Sequence, residues 1–207
     1  MTTFQKSVFL SGMKNKHILT PDFFARDTRL VAKDLLGKVL YHQTKDGLYK
    51  AVITETEAYH GTEDLACHCS KGFTPRTEVM FGSPGHIYIY LIYGMYQMLN
   101  FVTMPKGFPA AVLIRGVSDL QISRNDKPFE NLPVKTDGPG KLTKQMQIKR
   151  ELNRKKLIPE NHLWVTDEGI NTTRKQILQT KRIGIDYAGE WKDKPWRYFI
   201  AKQKERF

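Results

Sequence analysis

The stretch Ile53-Thr-Glu-Thr-Glu-Ala-Tyr59 narrows the possible folds more than any other, because its alternation suits a β-strand and no other regular element. In an extended strand successive side chains take opposite faces, which puts Glu55, Glu57 and Tyr59 on one and Thr54, Thr56 and Ala58 on the other. A strand serving only a core carries Val, Ile or Leu at such positions, since a buried carboxylate without a partner is strongly disfavoured. Two readings stand: a functional surface bearing two carboxylates and a phenol, or a solvated sheet face. Either way the strand belongs to a sheet. Lys38 to Gln43 reads as a strand that Lys45-Asp46-Gly47 turns back into the carboxylate strand.

A second unusual stretch is His86-Ile-Tyr-Ile-Tyr-Leu-Ile-Tyr-Gly-Met-Tyr-Gln-Met-Leu-Asn100. Ile87, Ile89 and Leu91 alternate with Tyr88, Tyr90 and Ile92, giving one aliphatic face and one phenol-bearing face. Gly94-Met95 marks a hairpin tip with Tyr93 and Tyr96 at its shoulders. Tyrosine is a good strand former, and that explains Tyr88. Tyr90 and Tyr93 suit something more specific, a base held against an aromatic face and a wedge pushed into a base stack.

Around these two stretches the chain reads as one domain. At 207 residues and 40% hydrophobic content it needs no second core, with residues 1–16 as a loose amino-terminal arm and 17–207 as the domain proper. Thr20-Pro21-Asp22 is a helix start with a capping hydroxyl. From Asp27 to Leu36 the residues Leu30, Val31, Leu35 and Leu36 make an apolar stripe that Gly37 ends. Strands follow at Met98 to Met104, Ala110 to Gly116, His162 to Thr166, Lys181 to Asp186 and Arg197 to Ala201. His60 to Met80 is a loop, and Lys141 to Lys156 reads as one basic helix whose first turn, after Gly138-Pro-Gly140, suits a phosphate. The expected class is α+β: a curved, mostly antiparallel mixed sheet with surrounding helices and a protruding β-hairpin.

Lys and Arg total 33 against 21 acidic residues, a formal net charge of +12. That excess suits a polyanion, and nucleic acid is favoured over a membrane because no long apolar run or strongly amphipathic basic helix is present. The two cysteines, Cys67 and Cys69, are too close for an ordinary disulfide framework, so a reducing, cytoplasmic compartment fits. They flank His68, yet a structural zinc site wants four ligands and no second pair follows, so neither metal nor other cofactor is expected. Arg115 at the end of an apolar strand calls for a carboxylate partner, either as a plain ion pair or beside Glu57 and a water, and the two are compatible.

The segments Thr54–Tyr59, Ala66–His68, Thr74–Thr77, Tyr88–Tyr96, Gly138–Leu142 and Gly184–Trp191 resemble, in order and spacing, the alkyladenine (3-methyladenine) DNA glycosylase family, from about Leu19 to about Phe199. The resemblance implies a repair enzyme that flips alkylated or deaminated purines of the 3-methyladenine, 7-methylguanine, hypoxanthine or ethenoadenine type out of double-stranded DNA. It then hydrolyses the N-glycosidic bond and leaves an abasic site. A monomer that works without a cofactor is expected, cytoplasmic and, should the source be a bacterium, associated with its nucleoid. By the same resemblance Glu57 activates the water, with Arg115 and the Ile183 carbonyl beside it. Tyr59, His68 and Tyr90 form the base pocket, Asn100 crowds the amino group of normal guanine, and Tyr93 with Met95 enters the stack. The leaving purine departs from an oxocarbenium-like sugar, a step that needs a carboxylate and a placed water. No lysine lies in either site stretch, so a monofunctional hydrolase is expected. A non-catalytic module stacking bases on its tyrosines is the alternative, and it has no need of Glu57 or Arg115. A sugar glycosidase using Glu55 with Glu57 is a third reading, weakened because residues two apart on one strand face lie side by side.

Overall fold

The computed structural model describes residues 17–170 and 176–201; the expected amino-terminal arm lies outside them. Strand β1 (His17–Ile18) leads into two short helices, α1 (Pro21–Phe24) and α2 (Thr28–Asp34). Strands β2 (Val39–Thr44) and β3 (Gly47–His60) form a hairpin, followed by 3₁₀ turns at His68–Lys71 and Glu78–Phe81. A second hairpin pairs β4 (Ile87–Ile92) with β5 (Tyr96–Val102), and β6 (Ala110–Ser123) follows. After β7 (Glu130–Asn131) come α3 (Pro139–Gln145), β8 (Leu163–Asp167), β9 (Ile177–Thr180) and β10 (Arg197–Ile200).

The ten strands make one sheet in the order β1-β8-β2-β3-β6-β5-β4, with β10 on β3, β9 beyond it and β7 on β6. The α+β class is as expected, but the sheet is not mixed. Every ladder among the described residues is antiparallel. Parallel neighbours need a long crossover, usually through a helix, and the described α-helices reach only seven residues. The long strand β3 serves two partners on one edge. Its first half, Gly47–Val52, pairs with β2, and Glu55–Glu57 pair with β10. Register shifts against β6 on both sides of Glu55 bend the strand between those partners.

One face of the sheet packs on α2 through Val31, Ala32 and Leu35, joined by Ile53, Ile87, Ile89, Leu99, Phe101 and Ile114. Thr56 points to this side and donates to the Ala32 carbonyl at 2.8 Å. The opposite face gathers Tyr88, Cys67, Cys69 and Met80 with Tyr59 and Tyr90 at its margin. The aliphatic and phenolic faces of β4 therefore lie as the alternation required.

Several boundaries differ from expectation. Leu30 is exposed, because the inward stripe of α2 runs Thr28, Val31, Ala32, Leu35 and Leu30 falls outside it. The Thr20 side chain makes no cap; Asp27 does, accepting from the Arg29 N–H at 2.9 Å. The expected helix over Lys141–Lys156 stops at Gln145, where Gln147 turns left-handed (φ 57°) and Ile148 N–H reaches back to the Thr143 carbonyl at 2.8 Å. Its remaining basic residues lie in turns, with one 3₁₀ turn at Arg150–Leu152. Lys181–Asp186 is not a strand. The ladder with β10 is made one segment earlier, by β9, and Gly184 at φ 76° takes a conformation no strand admits. β6, expected to end at Gly116, runs on to Ser123.

Candidate active site

The sheet register sets one row of side chains across five strands: Tyr88 on β4, Asn100 on β5, Leu113 on β6, Glu57 on β3 and Arg197 on β10. Directly opposed residues in antiparallel strands share a face, so Glu57 lies on the tyrosine side. Glu57 is fully buried, and both its oxygens are held. Oε1 accepts the Ile183 N–H at 2.8 Å, and Oε2 accepts the Tyr59 hydroxyl at 2.7 Å. Arg115 Nη1 stands 3.4 Å from Oε2. Burial pushes the Glu57 carboxyl above its usual range, while Arg115, Tyr59 and Ile183 pull against that rise. Burial and the three donors thus act on this carboxyl in opposite directions, with burial the larger.

Arg115 owes its aim to a bulge. Glu55 opposes Gly116 and Thr56 opposes Ile114, which leaves Arg115 without a cross-strand partner and turned toward the carboxylates. Its Nε donates to Glu55 Oε1 at 3.1 Å, and Arg197 Nε donates to the same oxygen at 2.6 Å. Glu55, Glu57 and Tyr59 share a face as the alternation implied, but Glu55 is committed to two arginines. A groove of about 1150 Å³ opens beside Glu55 between Val117, Leu132, Leu178 and Phe199, and Glu57 does not line it.

Aromatic rings border the carboxylate. The His68 ring stands edge-on to Tyr90, with centroids 4.5 Å apart. His68 Nδ1 lies 2.8 Å from the Tyr88 hydroxyl, and Nε2 lies 3.2 Å from Arg76 Nη2. An arginine has no acceptor, so Nε2 accepts and Nδ1 carries the proton. Burial first, then Arg76 and Lys71, lowers the His68 pKa to about 4, and the ring is neutral at pH 7. Burial likewise raises the phenols of Tyr59 and Tyr90, so both stay protonated. Asn100 is buried, its amide bound to the carbonyls of Tyr88 (3.2 Å) and Met98 (3.0 Å). Ile183 is about half exposed.

At the hairpin tip Tyr93 is 87% exposed and Met95 67%, values that mark them as the most solvent-projecting part of the tyrosine stretch. Tyr93 holds a left-handed backbone (φ 51°) beside Gly94 (φ 70°), which turns the chain in three residues. The structure therefore gathers Glu57, Arg115, Tyr59, Ile183 and, through Tyr90, His68 into one locality, and sets Tyr93 and Met95 out on the hairpin.

Sequence reasoning noted Arg76 only as a polar residue of the 60–80 loop and passed over Asp64, Arg182 and Arg197, all of which touch this locality. A lone charge in a loop carries no periodic signal, though the carboxylates of Glu55 and Glu57 gave reason to look for more than one arginine. Among the described residues no group of three or more His, Cys, Asp or Glu side chains is placed to hold a metal ion, and no helix is long and apolar enough to cross a membrane.

Comparison of the sequence with known proteins places the chain in one class, the DNA glycosylases, repair hydrolases of the N-glycosidic bond. The model of the methylpurine-DNA glycosylase family matches residues 22–204. The chain belongs to that family. It is 49% identical over 188 residues to a Rickettsia felis protein, covering 90% of this chain and 96% of that one. It is 47% identical over 185 residues to one from Bdellovibrio bacteriovorus (88% and 95% covered) and 46% identical over 187 to one from Methanocella arvoryzae (88% and 92%). Each relative bears the name "Putative 3-methyladenine DNA glycosylase".

Proposed function

We propose that this protein, acting as a monomer on double-stranded DNA, flips alkylated or deaminated purines out of the helix. It then hydrolyses the bond to deoxyribose with Glu57 as the group that activates water. The observation carrying this reading is the state of Glu57, which is wholly buried yet bound at both oxygens by donors that favour its charged form. Such a group takes a proton from water as the sugar becomes cationic, and its own charge stabilises that cation. Arg115 favours the ionised carboxylate and faces the same space, and Ile183 contributes its carbonyl to the water. Tyr59 and Tyr90 flank the extruded base with His68 at its edge, and Asn100 crowds the amino group of an undamaged guanine. A purine alkylated at N3 or N7 is cationic, and stacking it on the two rings is favourable by about 0.5 to 2 kcal/mol, which biases the pocket toward damage. Tyr93 and Met95 fill the gap left in the stack. No lysine amine is needed, so the product is an abasic site without strand cleavage.

The test is incubation of the purified protein, with a chelator, with duplexes carrying alkylated purines, hypoxanthine or ethenoadenine, scored for freed base and alkali-sensitive sites. Release supports the reading and ranks the lesions. Tight, salt-sensitive binding with no release favours a stacking module instead.

A further inference from the structure

Arg182 and Asp64 form an ion pair with no solvent-exposed side-chain surface on either partner. Arg182 Nη1 meets Asp64 Oδ2 at 2.6 Å and Nη2 meets Oδ1 at 2.8 Å. The same two nitrogens donate to the Ala58 carbonyl (3.0 Å) and the Trp191 carbonyl (3.2 Å). Asp64 accepts in addition the backbone N–H of His60 (3.2 Å) and of Ala66 (3.1 Å). Three segments of the site therefore converge on one pair. They are the end of β3 that bears Tyr59, the 61–67 loop that leads to His68, and the 181–191 loop that presents Ile183. The guanidinium also lies 4.8 Å from the centroid of the Tyr59 ring, taking one of its faces. The next residue, Ile183, donates the N–H that holds Glu57 Oε1.

A buried ion pair is a poor way to gain stability, because an apolar pair of similar volume does as well or better. Its worth lies in direction: the fork of Arg182 fixes four acceptors at once, which no apolar side chain does. We propose that Arg182, oriented by Asp64, is a positioning residue that sets the Ile183 N–H on Glu57 and backs the Tyr59 ring, so that the carboxylate stays ionised and aimed. This rests on the reading of Glu57 as the base. The groups facing Glu57 are Arg115 from β6, Tyr59 from β3, Tyr90 from β4 and Arg182 with the Ile183 N–H from the 181–191 loop. Arg197 of β10 turns to Glu55 instead. Loss of Arg182 removes the only one of these that also fixes another.

The experiment measures single-turnover base release against pH, together with the Kd for lesion duplex, in the full chain. The variants are Arg182→Met, Arg182→Lys and the Asp64→Leu/Arg182→Met double, which leaves no orphaned charge. Arg182→Met and the double should lower the rate by about 10²-fold, the scale for losing one preorganised donor. Both should move the acid limb of the rate profile to higher pH and change Kd less than tenfold, with partial recovery of rate in Arg182→Lys. An unchanged acid limb and rate in a variant that melts cooperatively would overturn the proposal. So would a lowered melting temperature with an unchanged profile, or failure of all three to fold, since either makes the pair purely structural. Glu57→Gln is run alongside. If it still releases base, the reading of Glu57 fails whatever Arg182 does. If it is dead while Arg182→Met is fully active, only the positioning role fails.

Discussion

A carboxylate buried without solvent is ordinarily protonated, and the donors on Glu57 exist to oppose that. Two consequences follow at this scale. Replacing Glu57 with Gln keeps the shape and removes the proposed base, so turnover should fall by at least about 10²- to 10⁴-fold while lesion-duplex affinity stays within severalfold, as a gel-shift assay beside a release assay checks. The pH dependence carries a definite sign. With Glu57 as the proposed base and its carboxyl raised by burial, activity should appear only as pH rises through a value above the free-glutamate pKa of about 4.3, and Arg115→Gln should push that acid limb higher still. The same shift opposes folding in the charged state: the proton is bound more tightly in the native protein, a contribution present at low pH and lost as pH rises through the folded value. Glu57→Gln should therefore melt above the parent at neutral pH, with the gap closing as the solution is acidified. Alternation in the sequence was enough to place Glu55, Glu57 and Tyr59 on one face. It was blind to Asp64 and Arg182, whose pairing spans 118 residues and leaves no local trace.

At the scale of elements the hairpin of β4 and β5 is not free-standing. Its tip end rests on α3, where a Cβ added to Gly140 would lie 2.8 Å from Cδ1 of the Tyr96 ring. The ring lies on the first turn of that helix, on the Gly138-Pro-Gly140 segment that reads in sequence as a phosphate cradle. Gly140→Ala should displace Tyr96 at a cost of about 1 to 3 kcal/mol, the usual range for overpacking. Tyr93 and Met95, the proposed wedge, should move with it, and on that proposal the expected outcome is weaker flipping, read as a smaller fluorescence rise from 2-aminopurine beside the lesion. The excision rate of a lesion in single strand should change far less. Elements whose periodicity is their own, such as β3, β4 and β6, were legible. The end of α3 was not, since a run of lysines and arginines continues past it and only a left-handed Gln147 marks the stop. The strand assigned to Lys181–Asp186 failed for a related reason: its alternation is real but serves a loop that reaches Glu57 rather than a ladder.

For the whole molecule, the excess of positive charge fixes how the protein meets its substrate. Each phosphate neutralised releases counterions, so log Kobs for duplex should fall against log salt with a slope of about 0.9 per contact. A slope near zero in a fluorescence-anisotropy titration would exclude duplex binding driven by that charge. The sheet adds a constraint of another kind, one of time. Ile183 lies 126 residues after the Glu57 it binds, and Arg197 lies 142 after Glu55. At roughly 5 to 20 residues per second of synthesis, the carboxylate leaves the ribosome some 6 to 25 seconds before its last donors do. Through that interval the nascent chain holds the blade without the hand that steadies it, so the surroundings of Glu57 are complete only once Ile183 and Arg197 have also been made.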